Sequence, residues 1–390
     1  MTRKNLLLTI LLALSLLSAL FGGARPAAAQ TAPADDADLP LCLPDAYPTA
    51  PADCLALGPS PYLTELARKG IDYPFRPLPA YRPDPAMGYS DINYLKVGET
   101  ALPLYASLED AMSGSAVQSL GSGLKYLAVG GRVDNDGGAF YPTTSGLWVA
   151  ARDTEAACCI RSGRIWGLVF ASNPASSFGW IVDQAELHAA PGYAAPKLPT
   201  SLYRETVVQI YDKVSADGTD WYMLGMNTWV ERRYIRQFVV NLTPPQGVEN
   251  GRWIEINLYE QTLGVYENGR LVYATLIASG AEPYYTRPGL FQIYEKLDKT
   301  TMSGAFEADR SDFYYLEEVP YTMYYDEARA LHGAYWRTLY GYPQSHGCVN
   351  LSIGDARWLY EWAQVGDWVY VWDPSGETPT DPALYTEGGA

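Results

Sequence analysis

Apolar and polar positions alternate in the last third of the chain: Ile254, Ile256 and Leu258 are separated by Glu255 and Asn257. A two-residue period of this kind predicts a half-buried strand. Leu263 and Val265 continue it in a second strand. Glu267-Asn268-Gly269-Arg270 then supplies an Asn-Gly hairpin turn before a third strand from Leu271 to Ile277. The period changes after Val349. Ser352-Ile353-Gly354-Asp355 is a Ser-x-x-Asp helix start, and Ala356, Leu359, Tyr360 and Ala363 fall on one face of the helix that follows.

Upstream, the pattern repeats itself. Val133, Asp136, Gly137, Phe140, Tyr141, Trp148, Val149 and Arg152 match Val214, Asp217, Gly218, Trp221, Tyr222, Trp229, Val230 and Arg233 with no insertion or deletion. Each copy predicts a hairpin on an Asp-Gly turn with alternating aromatics. The pair resembles bacterial SH3-like barrels, over residues 91–190 and 198–241. Trp148, Trp229, Tyr141 and Tyr222 are expected in their cores, because aromatics at fixed spacing are what a small barrel interior requires. The expected fold class is mainly β: two small SH3-like barrels, then a β-sandwich over 250–373 with a short helix, then a flexible tail over 374–390.

The N-terminal segment differs from the rest. Arg3 and Lys4 precede an apolar run from Leu6 to Leu20, broken by Thr9, Ser15 and Ser18 and followed by Ala27-Ala28-Ala29. That order predicts a secretory signal peptide over 1–29. The run is short of the ~18–20 residues that a membrane span needs. An exported chain with no transmembrane anchor after cleavage is therefore expected, in the cell wall or periplasm. Twelve of the 28 prolines fall between Pro33 and Pro85. They disfavour helix and sheet and predict a spacer over 30–90, with one short helix near Thr64 to Lys69.

Charge narrows the partners. Cleavage after Ala29 removes Arg3, Lys4 and Arg25 and no acid, moving the formal charge from −16 to −19. A chain this acidic does not seek nucleic acid or anionic lipid by its overall field. Cys42 and Cys54 suit a disulfide across a proline-rich loop. Adjacent Cys158 and Cys159 suit buried thiols or an interchain role. Cys348 is the odd cysteine, a candidate reactive thiol.

The chain has three histidines, and His332 and His346 both lie within 16 residues of Cys348. A thiol attacks as thiolate, and an imidazole that takes its proton can return it to a leaving amine. Cysteine with histidine therefore points to acyl transfer. Amides around Gly347 and Cys348 are candidates for an oxyanion site. Zinc would need four ligands in a closed site, and the nearest further acids, Asp355 and Glu361, lack ligand-like spacing, so no metal is expected. His188 stands alone beside Leu187 and Ala189 and reads as a surface or core histidine.

His332-Gly333, followed by Ser345-His346-Gly347-Cys348-Val349-Asn350, resembles the signature of the YkuD-type L,D-transpeptidases. The resemblance extends over about 250–373. It takes in Gln261 to Gly269, Thr286-Arg287-Pro288-Gly289-Leu290-Phe291 and Pro320 to Tyr324. Family members often carry Thr at the position of Ala334 and a Thr-Pro pair where Arg287 is inserted, departures that bear on substrate preference. The resemblance implies Cys348 as nucleophile and His332 as base, with the Gly333 carbonyl orienting the imidazole. It assigns His346 to support of the thiolate, and Ser345 and Asn350 to shaping the site. It further implies peptidoglycan stem peptides as partners, no cofactor, a thioester on cysteine and 3-3 crosslinks. A hydrolase using the same residues, or a wall-binding protein with an idle catalytic domain, are the competing readings. With an ordinary imidazole pKa of about 6.5, activity is expected to fall below that pH.

Overall fold

The computed structural model describes residues 61–154 and 160–385. The expected signal peptide, Cys42, Cys54, Cys158 and Cys159 lie outside the described residues. Chain contacts divide into two units, residues 1–70 and 71–390. In the first, a short helix spans Pro61–Arg68, a few residues ahead of the one expected.

The second unit is mainly β. Its Asn-Gly hairpin forms as the sequence predicts: Thr262–Glu267 pairs antiparallel with Arg270–Leu276. Asn268 and Gly269 take φ of 51° and 74°, the left-handed pair that a two-residue turn needs. Arg252–Asn257 pairs with the first arm of this hairpin and lies parallel to Trp368–Trp372. These strands belong to one seven-stranded sheet. A second seven-stranded sheet is built on Tyr314–Asp326, Arg329–Gly333 and Val349–Leu351. The apolar faces of the two meet in one core that holds Ile254, Ile256, Leu263 and Val265 from the first, and Met323, Leu331, Val349 and Leu351 from the second.

Arg252–Asn257 is not half-buried as its alternation predicts. Glu255 is buried along with Ile254 and Ile256, because a second core of Trp166, Phe170, Phe178, Trp180 and Phe238 covers the outer face of the sheet. Gly264 makes that cover possible: a Cβ there would stand 2.5 Å from the Phe238 ring. Burial pushes the Glu255 carboxyl up to about 7.

Hydrogen bonding crosses the boundaries that the sequence suggests. Leu168–Phe170 joins the hairpin sheet beside Arg270–Leu276. Leu124–Val129 lies parallel to Tyr314–Asp326 and carries Tyr89–Val97 and Ile160–Ser162 outside it. Much of segment 91–190 is thus part of the two main sheets. What remains of the repeat is local. Val133–Asn135, Gly138–Pro142 and Trp148–Ala150 form one three-stranded meander, and Asp212–Ala216, Thr219–Gly225 and Thr228–Glu231 form its counterpart. Each is followed by a 3-10 turn, Ala151–Asp153 or Arg232–Tyr234. Tyr141, Tyr222 and Trp229 are buried and Trp148 is partly so. The second meander shares a core with Ser177–Ile181 and Ala185–His188, so this small β unit begins near Ser177. His188 is buried, with its ring edge-on to Trp221 at 4.9 Å.

Residues 374–385 are held in place, where a flexible tail was expected. Asp373 accepts bonds from the backbone and hydroxyls of Ser375 and Thr378. The Tyr385 ring is buried, and its carbonyl accepts from Arg329 at 3.1 Å.

The helix Ile353–Trp362 is capped by Ser352, whose hydroxyl accepts from the Asp355 amide. Asp355 itself is fully buried. It accepts from Ser352 Oγ at 2.6 Å, Tyr273 Oη at 2.6 Å, and the amides of Trp166 and Gly167 at 3.2 and 2.9 Å. Replacing this carboxylate by alanine strands several buried donors, each costing ~1–3 kcal/mol. Asp355→Ala is expected to lower unfolding free energy by at least ~3 kcal/mol, read as a fall in the urea midpoint at unchanged slope. A loss under ~1 kcal/mol would show that water replaces the carboxylate.

Candidate active site

Two neighbouring strands bring the signature residues together. Arg329–Gly333 and Val349–Leu351 run parallel, with Leu331 opposite Val349, His332 opposite Asn350 and Gly333 opposite Leu351. Cys348 immediately precedes the second strand. His332, Cys348, Ser345, His346 and Asn350 then line one cavity of about 190 Å³, with Leu124, Met302, Tyr314 and Leu316 as apolar walls and Trp336, Arg337 and Gln344 at its side. Leu124, far from the signature in sequence, arrives through the parallel strand that flanks Tyr314–Asp326.

The loop before the thiol is tightly held. Gly347 has φ of 116°, a conformation suited to glycine alone. Its amide donates to Ser345 Oγ at 3.2 Å, and its carbonyl accepts from Thr286 Oγ1 at 2.8 Å. The Ser345 hydroxyl donates to the Cys348 carbonyl. The Gly347 N–H is therefore engaged within the loop. Thr286 also accepts from the Gly280 amide at 2.8 Å, and its neighbour Arg287 pairs with Asp326. The Thr-Arg-Pro segment thus anchors the loop before Cys348 on one side and the strand before His332 on the other. The Cys348 thiol is buried, with Sγ 3.8 Å from the Ala328 carbonyl.

A chain of polar contacts sets the protonation pattern of His332. Arg337 Nε donates to Asn350 Oδ1. Because guanidinium can only donate, the other amide atom, Asn350 Nδ2, faces His332 Nε2, at 3.0 Å. Nε2 is then the acceptor, and the ring proton sits on Nδ1, which points to the Gly333 carbonyl at 3.4 Å. Arg337 is held in turn by Gln344, through Oε1 at 3.2 Å and through the backbone carbonyl. Gln344 and Ser345 donate their amides to the Ser279 carbonyl at 2.8 and 2.9 Å. Sequence reasoning passed over Arg337 and Gln344 as spacer between the two halves of the signature. The one signal was a lone cation in an otherwise neutral stretch.

Burial dominates the electrostatics. His332 is enclosed, and loss of solvent pulls its pKa down from the ordinary 6.5 to about 4; the Gly333 bond opposes this and the nearby Arg337 charge adds to it. The imidazole is neutral at neutral pH, the state a base requires. His346 is also pulled down, by burial first. Its ring stacks on Phe306 at 5.2 Å and lies 4.8 Å from Tyr284. Burial raises Tyr314, and the charge of Cys348 adds to the effect. Among the described residues no three His, Cys, Asp or Glu side chains are grouped to hold a metal ion.

Elements outside the signature support the site. Tyr335 stacks on Tyr94 with centroids 3.5 Å apart. Its hydroxyl donates to the Glu317 carbonyl at 2.8 Å, while that of Tyr94 donates to Glu318 at 2.9 Å. The Tyr340 hydroxyl ties Leu351 and Ala334 at 3.0 and 3.2 Å. The segment after His332 is therefore tied to several strands of the second sheet, Tyr89–Val97 among them.

Residues 251–371 match the family model of the YkuD L,D-transpeptidase catalytic domain, so the chain carries a catalytic domain of that type. YciB of Bacillus subtilis (strain 168), which bears an L,D-transpeptidase name, is 25% identical over 127 residues, covering 28% of this chain and 59% of YciB. Among solved structures, an L,D-transpeptidase from Stackebrandtia nassauensis is 29% identical, with a TM-score of 0.27, covering 35% of this chain and 60% of that one. The C442S mutant of the Enterococcus faecium L,D-transpeptidase is 25% identical, with a TM-score of 0.30, covering 35% and 55%.

The enclosed imidazole can be checked directly. The His332 ring is expected to titrate near pH 4 in carbon-detected NMR of the folded protein, and a midpoint near 6.5 would mean that water reaches it. Its depressed pKa leaves the folded state with fewer bound protons than the unfolded chain between about 6.5 and 4. This group's contribution to stability is therefore present above that window and lost as pH falls through it.

Proposed function

We propose that the chain is a cell-wall L,D-transpeptidase that acylates Cys348 with a peptidoglycan stem and transfers it to a neighbouring stem amine, forming a 3-3 crosslink. One observation carries this reading: Cys348 and a neutral His332 line the same cavity, and both lie in the segment that matches the family model. Members of that family act on peptidoglycan, and action there calls for an extracytoplasmic location.

His332 takes the thiol proton at Nε2, the ring nitrogen whose lone pair faces outward from Gly333. Asn350 holds that lone pair in the present arrangement, so its amide yields as the proton arrives. The thiolate attacks the carbonyl of the third stem residue, and the C–N bond to the terminal D-Ala breaks as the imidazolium returns its proton to the departing amine. An acceptor amine then attacks the thioester, loses its proton to His332 and frees the thiolate. Arg337 positions this machinery through Asn350.

Four outcomes follow. Incubation with a carbapenem is expected to add one drug mass to the wild-type protein and none to Cys348→Ala. Absence of any wild-type adduct would sink the reading. With tetrapeptide muropeptides, crosslinked dimers are expected by mass; shortened stems alone would make the protein a hydrolase. The acid limb of the acylation rate is expected near pH 4, in place of the 6.5 that an ordinary imidazole gives, because the buried ring stays neutral. Arg337→Lys, which cannot hold Asn350 and Gln344 together, should slow acylation by about tenfold or more with melting temperature little changed.

A further inference from the structure

A second, larger cavity of about 780 Å³ lies on the far side of the segment that follows His332. Trp336 and Arg337 line both this cavity and the one at Cys348, so the two are separated by a wall of those residues. The larger one is built mostly by segments outside 251–371, around Arg82, Gly163–Trp166 and Arg204–Glu205.

Its charge runs against that of the chain. The formal charge of the protein is −16, yet Arg82, Arg164, Arg204 and Arg337 line this cavity with Glu205 as the sole acid among its lining residues. Arg164 and Arg204 have acidic partners, while Arg82 and Arg337 are held by neutral acceptors. Arg82 donates to the carbonyls of Ile165 and Glu205, at 2.7 and 3.1 Å. Arg337 is held by an amide and a carbonyl. Arg204 has a 3.8 Å contact with Asp183, and its Nη1 is buried with no hydrogen-bond acceptor. Arg164 pairs with Glu205. Glu205 occupies a left-handed backbone conformation, φ 77°, strained for a residue with a side chain, and such strain gathers at ligand sites. Cations gathered in one cleft repel one another and focus a positive field. A bound anion would relieve that repulsion, and guanidinium matches the two oxygens of a carboxylate.

We infer that this cavity is an anion subsite that holds free carboxylates of the substrate peptide on the far side of the Trp336–Arg337 wall from Cys348. The assignment rests on the stem-peptide reading of the Cys348 cavity. The exposed Tyr89 ring at its edge offers an apolar surface for the peptide chain beside the carboxylates.

Isothermal titration of the full chain carrying Cys348→Ala tests it, with two probes: a stem tetrapeptide with all carboxylates free, and the same peptide fully amidated. The free-acid peptide should bind at least tenfold more tightly, and added salt should shrink that margin. Arg164→Gln with Arg204→Gln, checked for folding by thermal melting, should erase most of the preference while leaving the amidated peptide's affinity unchanged. Equal affinity for both peptides, or a full preference in the folded double variant, would overturn the subsite. The comparison of peptides needs no arginine variant, so it decides even if the double variant fails to fold. A wild-type protein that takes a carbapenem on Cys348 but shows no carboxylate preference loses this inference alone. One that takes no carbapenem loses the underlying reading.

Discussion

Asp355 joins three parts of the chain at one buried point. Its carboxylate collects a hydroxyl from its own helix cap, a phenol from the hairpin sheet and two amides from the stretch Trp166–Gly167. Removing a carboxylate from water costs several kcal/mol, and only a full set of donors offsets that. The donors can converge only if the helix sits against both the sheet and the loop. Gly167 shows how close the approach is: a Cβ there would collide with the Tyr273 hydroxyl at 1.9 Å. The helix begins five residues beyond Cys348, so seating it also fixes the far end of the strand that carries Asn350.

The cluster of His332, Cys348 and Asn350 inherits its geometry from that seat. Val349–Leu351 is fastened to Arg329–Gly333 by parallel pairing, and parallel pairing puts His332 beside Asn350. From there the tautomer is a matter of elimination, running from a guanidinium that can only donate to a carbonyl that can only accept. Enclosure by the apolar walls then sets basicity. A ring with an ordinary pKa would be partly charged in mildly acid surroundings, whereas this one stays neutral until about pH 4. The expectation of a titration near 6.5 was a property of imidazole in water, and this imidazole is not in water.

Legibility in the sequence followed the range of each interaction. The Asn-Gly turn, the Ser-x-x-Asp cap and the doubled Asp-Gly meander all depend on residues a few positions apart, and each forms where its pattern stands. The His332 and Cys348 pair was visible because both belong to one short stretch. Arg337 lay in the same stretch and was not visible. Its role comes from where the loop folds back onto Asn350 and Gln344, which spacing does not reveal. The strand pairing of the upstream segment was hidden for the same reason. Leu124–Val129 and Tyr314–Asp326 are almost 190 residues apart, and their pairing leaves no periodic mark on either.

The sequence by itself thus determined the β-rich elements, their turns, the helix after the thiol and the closeness of Cys348 to His332 along the chain, because backbone propensity and short-range side-chain bonds act within a few residues. Tertiary structure alone decided which strand faces are covered, how basic His332 is, and that four arginines of an acidic chain line one cavity. Burial and electrostatic field are sums over neighbours, and here most of those neighbours come from distant segments: Leu124 at the thiol, Phe238 over the hairpin, Arg82 and Arg204 beside Arg337.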